Sequence, residues 1–375
     1  MRRFLSLTVL LALCLQSRAQ ESSPTTRVAA ASVEARFEAL EKERLLAEDD
    51  HVARLRAATT DDERQVIRTG WEKLRSETFL CGFVELARAA ADNPIEARIL
   101  LRVLDFGRTT ASAKEAVGDA LARFLEIDPN TRELESAAET VRFVTWLLGS
   151  QVVDSFLRKL HDRAGLPATR AAALFHRAAL QVEFKDLEKL DRDAARALFQ
   201  RVVDAYASTD YARDAVAYLY ELDHLQCGMP LPAIPSTKDA DGNAVDLTSY
   251  RGRALVIVFW GIWDPESHPL VAELVDLESR LRDEGLSVLG VNSDKQPEKL
   301  ATAIRRAGIG FRQVLEGGRD GPWAKAWNVF AWPTVYVVDR GGVISGKHVR
   351  GESLARAVQR ALAVPAPESR PSPGR

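Results

Sequence analysis

At Cys227 the sequence changes its period, and that change restricts the folds open to the chain. From about Ser32 to Leu225, apolar residues recur at spacings of three and four in segments rich in Ala, Leu, Arg and Glu; ALARFLEI and AARALFQRVVDAY are examples. Such spacing gathers the apolar side chains on one face of a helix. Turn residues interrupt the pattern near Asp92-Asn93-Pro94, Asp128-Pro129-Asn130, Gly165-Leu166-Pro167 and Ser208-Thr209-Asp210. The region 32–225 is therefore predicted to be an all-α domain of helices joined by short turns.

Two arrangements fit that domain. The stretch 193–222 alternates small and aromatic residues and resembles a tetratricopeptide-like helical pair, which points to a solenoid of stacked hairpins. AALFHR at 172 and RALFQR at 196 do not keep the ~34-residue spacing of that repeat, which leaves an irregular bundle as the alternative.

After Cys227, Pro and Gly punctuate GMPLPAIPSTKDADGNAVDLTSYRG, and the Asp241-Gly242-Asn243 turn reads as the tip of a β-hairpin. Strand and helix patterns then alternate. ALVIVFW leads to a helix from about Pro265 to Asp283, LSVLGVNS to a helix over 297–307, and FRQVLE to a short helix near Trp323 to Trp327. TVYVVDR, a Gly341-Gly342 turn, GVISGKHV and a helix from Glu352 to Leu362 complete the series. A βαβ unit followed by a hairpin and a helix predicts a mixed sheet with helices on both faces over 228–363. The Pro-rich end, 364–375, is predicted to be disordered.

The N-terminus carries Arg2 and Arg3, an apolar run from Phe4 to Leu15 and the small-residue site Ser17-Arg18-Ala19. This is the layout of a secretory signal peptide over 1–19, and it predicts an exported protein, periplasmic or extracellular, with no membrane span after cleavage. A lipoprotein reading would acylate Cys14, but Leu13 stands where a small residue is expected. Removing the signal leaves Cys81 and Cys227; they are read as structural thiols, and two readings stay open, a pair or two free thiols. A formal net charge of −2 supplies no overall field for nucleic acid or an anionic membrane, so neither is expected as a partner.

Residues 228 to about 363 resemble the thioredoxin-like domains of exported TlpA/ResA-type thiol-disulfide oxidoreductases. The resemblance rests on the Gly-x-Pro-x-Pro opening at Gly228, the Leu-x-x-x-Arg-Gly approach at Leu247, VIVFWGIW, GVNSD, AWNVFAWPTVYVVDRGGVI and the closing helix. It implies a thioredoxin fold. It also implies a Cys-x-x-Cys after Trp263, where this chain has Asp264-Pro265-Glu266-Ser267. The family's reaction needs one thiolate to attack a disulfide and a second thiol to resolve the mixed disulfide. Asp264 and Ser267 can do neither, and no cysteine occurs from Gly228 to Arg375, which removes a peroxiredoxin reading as well. Cys227 lies just before the domain, away from the expected redox turn.

Asp264 followed by Pro265 reads as an N-cap with Pro at the first helical position, and Asp264 with His268 as a solvated i,i+4 pair. Asp264, Ser267 and His268 share a helical face, yet no G-x-S-x-G elbow accompanies them, so they do not make a hydrolase triad. Asp223-His224-x-x-Cys227 falls short of a four-ligand zinc site, and His51, His161, His176 and His348 are scattered; no metal or cofactor is expected. The resemblance places Trp332-Pro333-Thr334 at the family's cis-proline loop, which offers backbone groups to an extended peptide. With Trp263 it would rim a groove for an unknown protein or peptide of the cell envelope. The alternative is that these aromatics only pack the loops. A third role for the chain is a structural scaffold, with the thioredoxin-like domain capping the helical array.

Overall fold

A computed structural model describes residues 32–183 and 191–367. The predicted signal segment with Cys14, and most of the predicted tail, lie outside the described residues. The chain divides into two compact units, Met1–Ala212 and Arg213–Arg375.

The first unit is helical, as the period of its sequence predicts. It comprises α1 (Val33–Ala57), α2 (Asp61–Leu74), α3 (Cys81–Ala89), α4 (Glu96–Gly107), α5 (Lys114–Phe124), α6 (Glu133–Val141), α7 (Thr145–Leu148), α8 (Ser150–Arg163), α9 (Pro167–Glu183) and α10 (Arg192–Ala205). All four predicted interruptions lie between helices. Residues Arg75–Leu80, between α2 and α3, are π-helical, and the apolar spacing does not reveal that step. α9 packs on α6, α8 and α10 together, and Ala171 to Phe175 and Ala178 to Leu180 are buried along it. A helix covered by three neighbours belongs in the middle of a core, and Arg177 at its edge pairs with Asp154 of α8 at 2.9 Å. Arg102 of α4 binds both carboxylate oxygens of Glu41 on α1 at 2.9 and 3.0 Å, a bidentate tie between distant turns.

The division between units falls inside α11 (Asp210–His224), earlier than the change of period at Cys227. Glu221 on α11 accepts hydrogen bonds from Lys347 and from Asn328 Nδ2, and Leu225 is buried beside Leu255 and Ile257. The last turns of that helix thus belong to the C-terminal core.

That core is built on β1 (Ala254–Trp260), β2 (Leu286–Asn292), β3 (Arg312–Leu315), β4 (Thr334–Val338) and β5 (Ile344–Lys347), ordered β3-β2-β1-β4-β5. β1 runs parallel to β2 and antiparallel to β4, giving the mixed sheet expected from the sequence. Every residue of β1 is buried. Ala254, Val256, Val258 and Trp260 enter one core with α12 (Ser267–Leu281) and α15 (Gly351–Ala363), with α13 (Pro297–Arg306) on the same side. Leu255, Ile257 and Phe259 enter the other with Trp323 of α14 (Pro322–Ala326) and Trp327 just after it. Alternate residues point to opposite faces, so a continuous apolar run is what a strand covered on both faces requires.

The predicted hairpin at Asp241-Gly242-Asn243 is a tight turn with a single bridge, Lys238 to Ala244, rather than two paired strands. Asp239 explains the difference. Its carboxylate accepts from the amides of Asp241 and Asn243 at 3.0 and 2.8 Å and from Arg312 of β3, and Ala240 N–H donates to Gln313 O at 2.8 Å. The turn is fastened to the sheet edge, which leaves no length for a separate ladder.

Candidate functional site

The site lies past the carboxyl ends of β1 and β2, where open α/β sheets place their ligands. β1 ends at Trp260, whose Nε1 donates to Gln313 Oε1 at 3.0 Å in the buried interior. Gly261 follows because a side chain there has no room: a Cβ would stand 2.4 Å from Trp263 Nε1. The Trp263 ring folds back over this bare backbone and stays 40% exposed.

Ser267 is fully buried at the start of α12. Its Oγ accepts from Gly261 N–H at 3.3 Å and donates to Asp264 Oδ2 at 2.6 Å, closing the turn between strand and helix. This corrects the expected cap. The Asp264 carboxylate accepts no helix amide among the described residues; α12 begins at Ser267, whose amide goes to the Asp264 carbonyl at 3.2 Å, and Glu266 before it makes no side-chain cap. The carboxylate goes instead to the buried hydroxyl, which has no other acceptor among the described residues. The expected Asp264–His268 pair is also absent: His268 Nε2 lies 2.9 Å from Ile262 O, across the same turn.

Trp332-Pro333 is a cis peptide bond at the entry to β4, and the Trp332 ring meets Trp263 edge-on with centroids 5.7 Å apart. Trp332 Nε1 donates to Ser293 Oγ at 2.7 Å, which fixes the indole. Arg350 donates to Pro333 O, and Thr334 turns its hydroxyl inward to Ala331 O at 2.9 Å. Burial pulls the Arg350 guanidinium below its ordinary value, against the nearby carboxylates of Glu266, Glu273 and Asp264. The Trp332 amide and carbonyl have no partner among the described residues.

Sequence reasoning missed the third wall. Asp294, just after β2, accepts from Ile262 N–H at 2.9 Å and from Asn292 Nδ2 at 2.7 Å, joining the loops that follow β1 and β2. Arg319 lies over both indoles, 4.1 Å from the Trp263 ring centre and 5.3 Å from that of Trp332. With Ile262, Ser293, Lys295 and Gln296 these residues line an open groove of about 480 Å³. The only signal for Arg319 was its place after Gly317-Gly318 in a loop.

The two thiols are elsewhere and not in a disulfide: Cys81 is half-buried at the start of α3, and Cys227 is exposed. Gly228 N–H bonds Ile344 O, and Ile344 faces Val338, which faces Leu255 at the beginning of β1. Asp264 follows the other end of that strand, about 17 Å away at ~3.3 Å per residue. Among the described residues no three His, Cys, Asp or Glu side chains converge on a metal position, and the His224 ring packs at a tilt against Tyr220, with centroids 4.6 Å apart.

The family profile described as AhpC/TSA matches residues 228–347. The Mycobacterium tuberculosis protein named "Putative peroxiredoxin MT2597" is 34% identical over 118 residues, which cover 30% of this chain and 71% of the relative. Thiol-disulfide oxidoreductase ResA of Bacillus thuringiensis subsp. konkukian is 19% identical over 145 residues, 39% of this chain and 82% of the relative. The crystal structure of the thioredoxin domain of a thiol-disulfide oxidoreductase from Bacteroides vulgatus aligns at 25% identity and a TM-score of 0.33, covering 36% of this chain and 96% of that one.

Proposed function

This chain belongs to the AhpC/TSA family through residues 228–347, and from that premise we propose that it is an exported binding protein whose redoxin domain has exchanged thiol chemistry for peptide recognition. The observation that carries the reading is the 2.6 Å Asp264–Ser267 hydrogen bond at the positions that the resemblance assigns to the family's two thiols. A carboxylate and a hydroxyl bonded to each other keep the turn ordered and provide no sulfur to attack or resolve a disulfide. The walls beside that turn remain suited to binding. Trp263 and Trp332 offer apolar faces, and the Trp332 backbone offers the donor and acceptor that extend a sheet by one strand.

The similarity to ResA favours a second reading, a thiol-disulfide oxidoreductase working through Cys227. The position of Cys227 beside the opposite end of β1 weighs against it. An array of extended peptides probed with the full chain tests the first reading. Binding is expected, and Trp263→Ala and Trp332→Ala should each weaken it about ten-fold or more, as loss of an aromatic anchor does. An array on which wild type and both variants behave alike would sink the peptide site.

A further inference from the structure

The groove lining holds two cations, Arg319 and Lys295, against one carboxylate, Asp294, and their setting indicates what the ligand carries. Arg319 and Lys295 make no ion pair with a described carboxylate, and Asp294, the one acidic residue in the lining, is bonded to neighbouring groups. Asp294 is bonded to Ile262 N–H and Asn292, Asp264 to Ser267, and Glu316 to the amides of Trp323 and Ala324 at 2.9 and 3.2 Å. Glu266 stands on the Arg350 side of the turn. Arg319 is also held in place: its guanidinium lies over two indoles and lines the groove, and a guanidinium is the planar fork that binds carboxylates.

We infer that this groove recognises an acidic side chain, Asp or Glu, within an extended peptide, seated on Arg319 with Lys295 beside it. The inference rests on the peptide-binding reading and adds the charge of the ligand. Two cations and one internally bonded Asp294 leave a net single positive charge in the lining, which suits one carboxylate better than a doubly charged phosphate. The neighbouring Trp332 backbone places that carboxylate on a chain paired with the loop rather than on a free small acid.

The test uses the full chain and fluorescein-labelled extended peptides in matched triplets, differing at one position as Glu, Gln or Lys, read by anisotropy. The Glu peptide should bind about ten-fold more tightly than its Gln partner, with the Lys peptide weakest, because a charge-assisted pair is being counted. Added salt should narrow the preference. In Arg319→Gln the Glu-to-Gln affinity ratio should fall towards one; Arg319→Lys should keep part of it, and Lys295→Gln should lower it. Melting curves of the Gln and Lys variants separate misfolding from lost recognition, and the Lys variant carries the test if the Gln variant does not fold. A ratio unchanged in both Arg319 variants overturns the inference and leaves peptide binding standing. Wild-type protein that binds no peptide of the array overturns both.

Discussion

The Asp264–Ser267 bond gives the residue scale its most direct test. Removing the carboxylate leaves the Ser267 hydroxyl buried without an acceptor, so Asp264→Ala should lower stability by about 1–3 kcal/mol, and Asp264→Asn, which still accepts, by less. Urea midpoints of the two variants measure this, and equal midpoints would show the bond to be idle. Gly261 makes a different prediction. A methyl group there meets the Trp263 indole, so Gly261→Ala should push the ring off the turn and change its fluorescence while the strand behind it holds. At this scale the sequence was only partly legible. Trp263, Trp332 and Pro333 could be read as neighbours because each sits in a local motif, and the Trp263 and Trp332 rings do meet. Arg319, Ser293 and Asp294 went unread because their roles depend on loops that only the fold makes adjacent. The mistaken cap has a physical source as well: Asp-Pro is a good helix start, and nothing local says that a buried hydroxyl will compete for the carboxylate.

Elements were more legible than contacts. The strands and helices of the C-terminal domain were readable because β1 is buried on both faces and the helices keep one apolar stripe, patterns that survive in the sequence. The π-helical step at Arg75–Leu80 left no such trace, since spacings of three and four continue across it. The hairpin closes with one antiparallel bridge only, and its shortness was not legible because the turn is fastened by Arg312, which belongs to a distant strand. That fastening predicts a pH dependence. Burial pushes the Asp239 carboxyl up, but Arg312 and the amides of Asn243 and Asp241 outweigh it and hold the group below the usual carboxylate range. A carboxyl depressed in the folded state adds stability that is present above its unfolded value near ~4 and is lost as pH falls through its lower folded value. Wild type should therefore lose more stability than Asp239→Asn between about pH 4 and more acid solution, as read from melting temperatures of both proteins. Parallel curves would assign the acid loss to other groups.

For the whole molecule, the question is what this fold can do with no cysteine of its own. No cysteine lies between Gly228 and Arg375, so the full chain should not accelerate insulin reduction by dithiothreitol over a no-protein control. If activity appears and vanishes in Cys81→Ser/Cys227→Ser, the sulfur comes from outside the fold and the binding reading fails. The converse experiment asks whether the frame is still a redox frame. Asp264 and Ser267 side chains already touch at 2.6 Å, and Ser267 opens α12, where the helix dipole lowers a thiol's pKa. The double variant Asp264→Cys/Ser267→Cys should form a disulfide that reductant opens, visible by mass spectrometry as the loss and return of two hydrogens. With Trp263 and the Trp332-Pro333 loop in place, that variant should also reduce insulin, unlike the parent. A folded variant that never closes the bond would mean that the turn lacks the geometry for sulfur. Closure without insulin reduction would mean that the groove has been reshaped for binding alone, since the two thiols and the loop beside them are what thiol exchange requires of this fold.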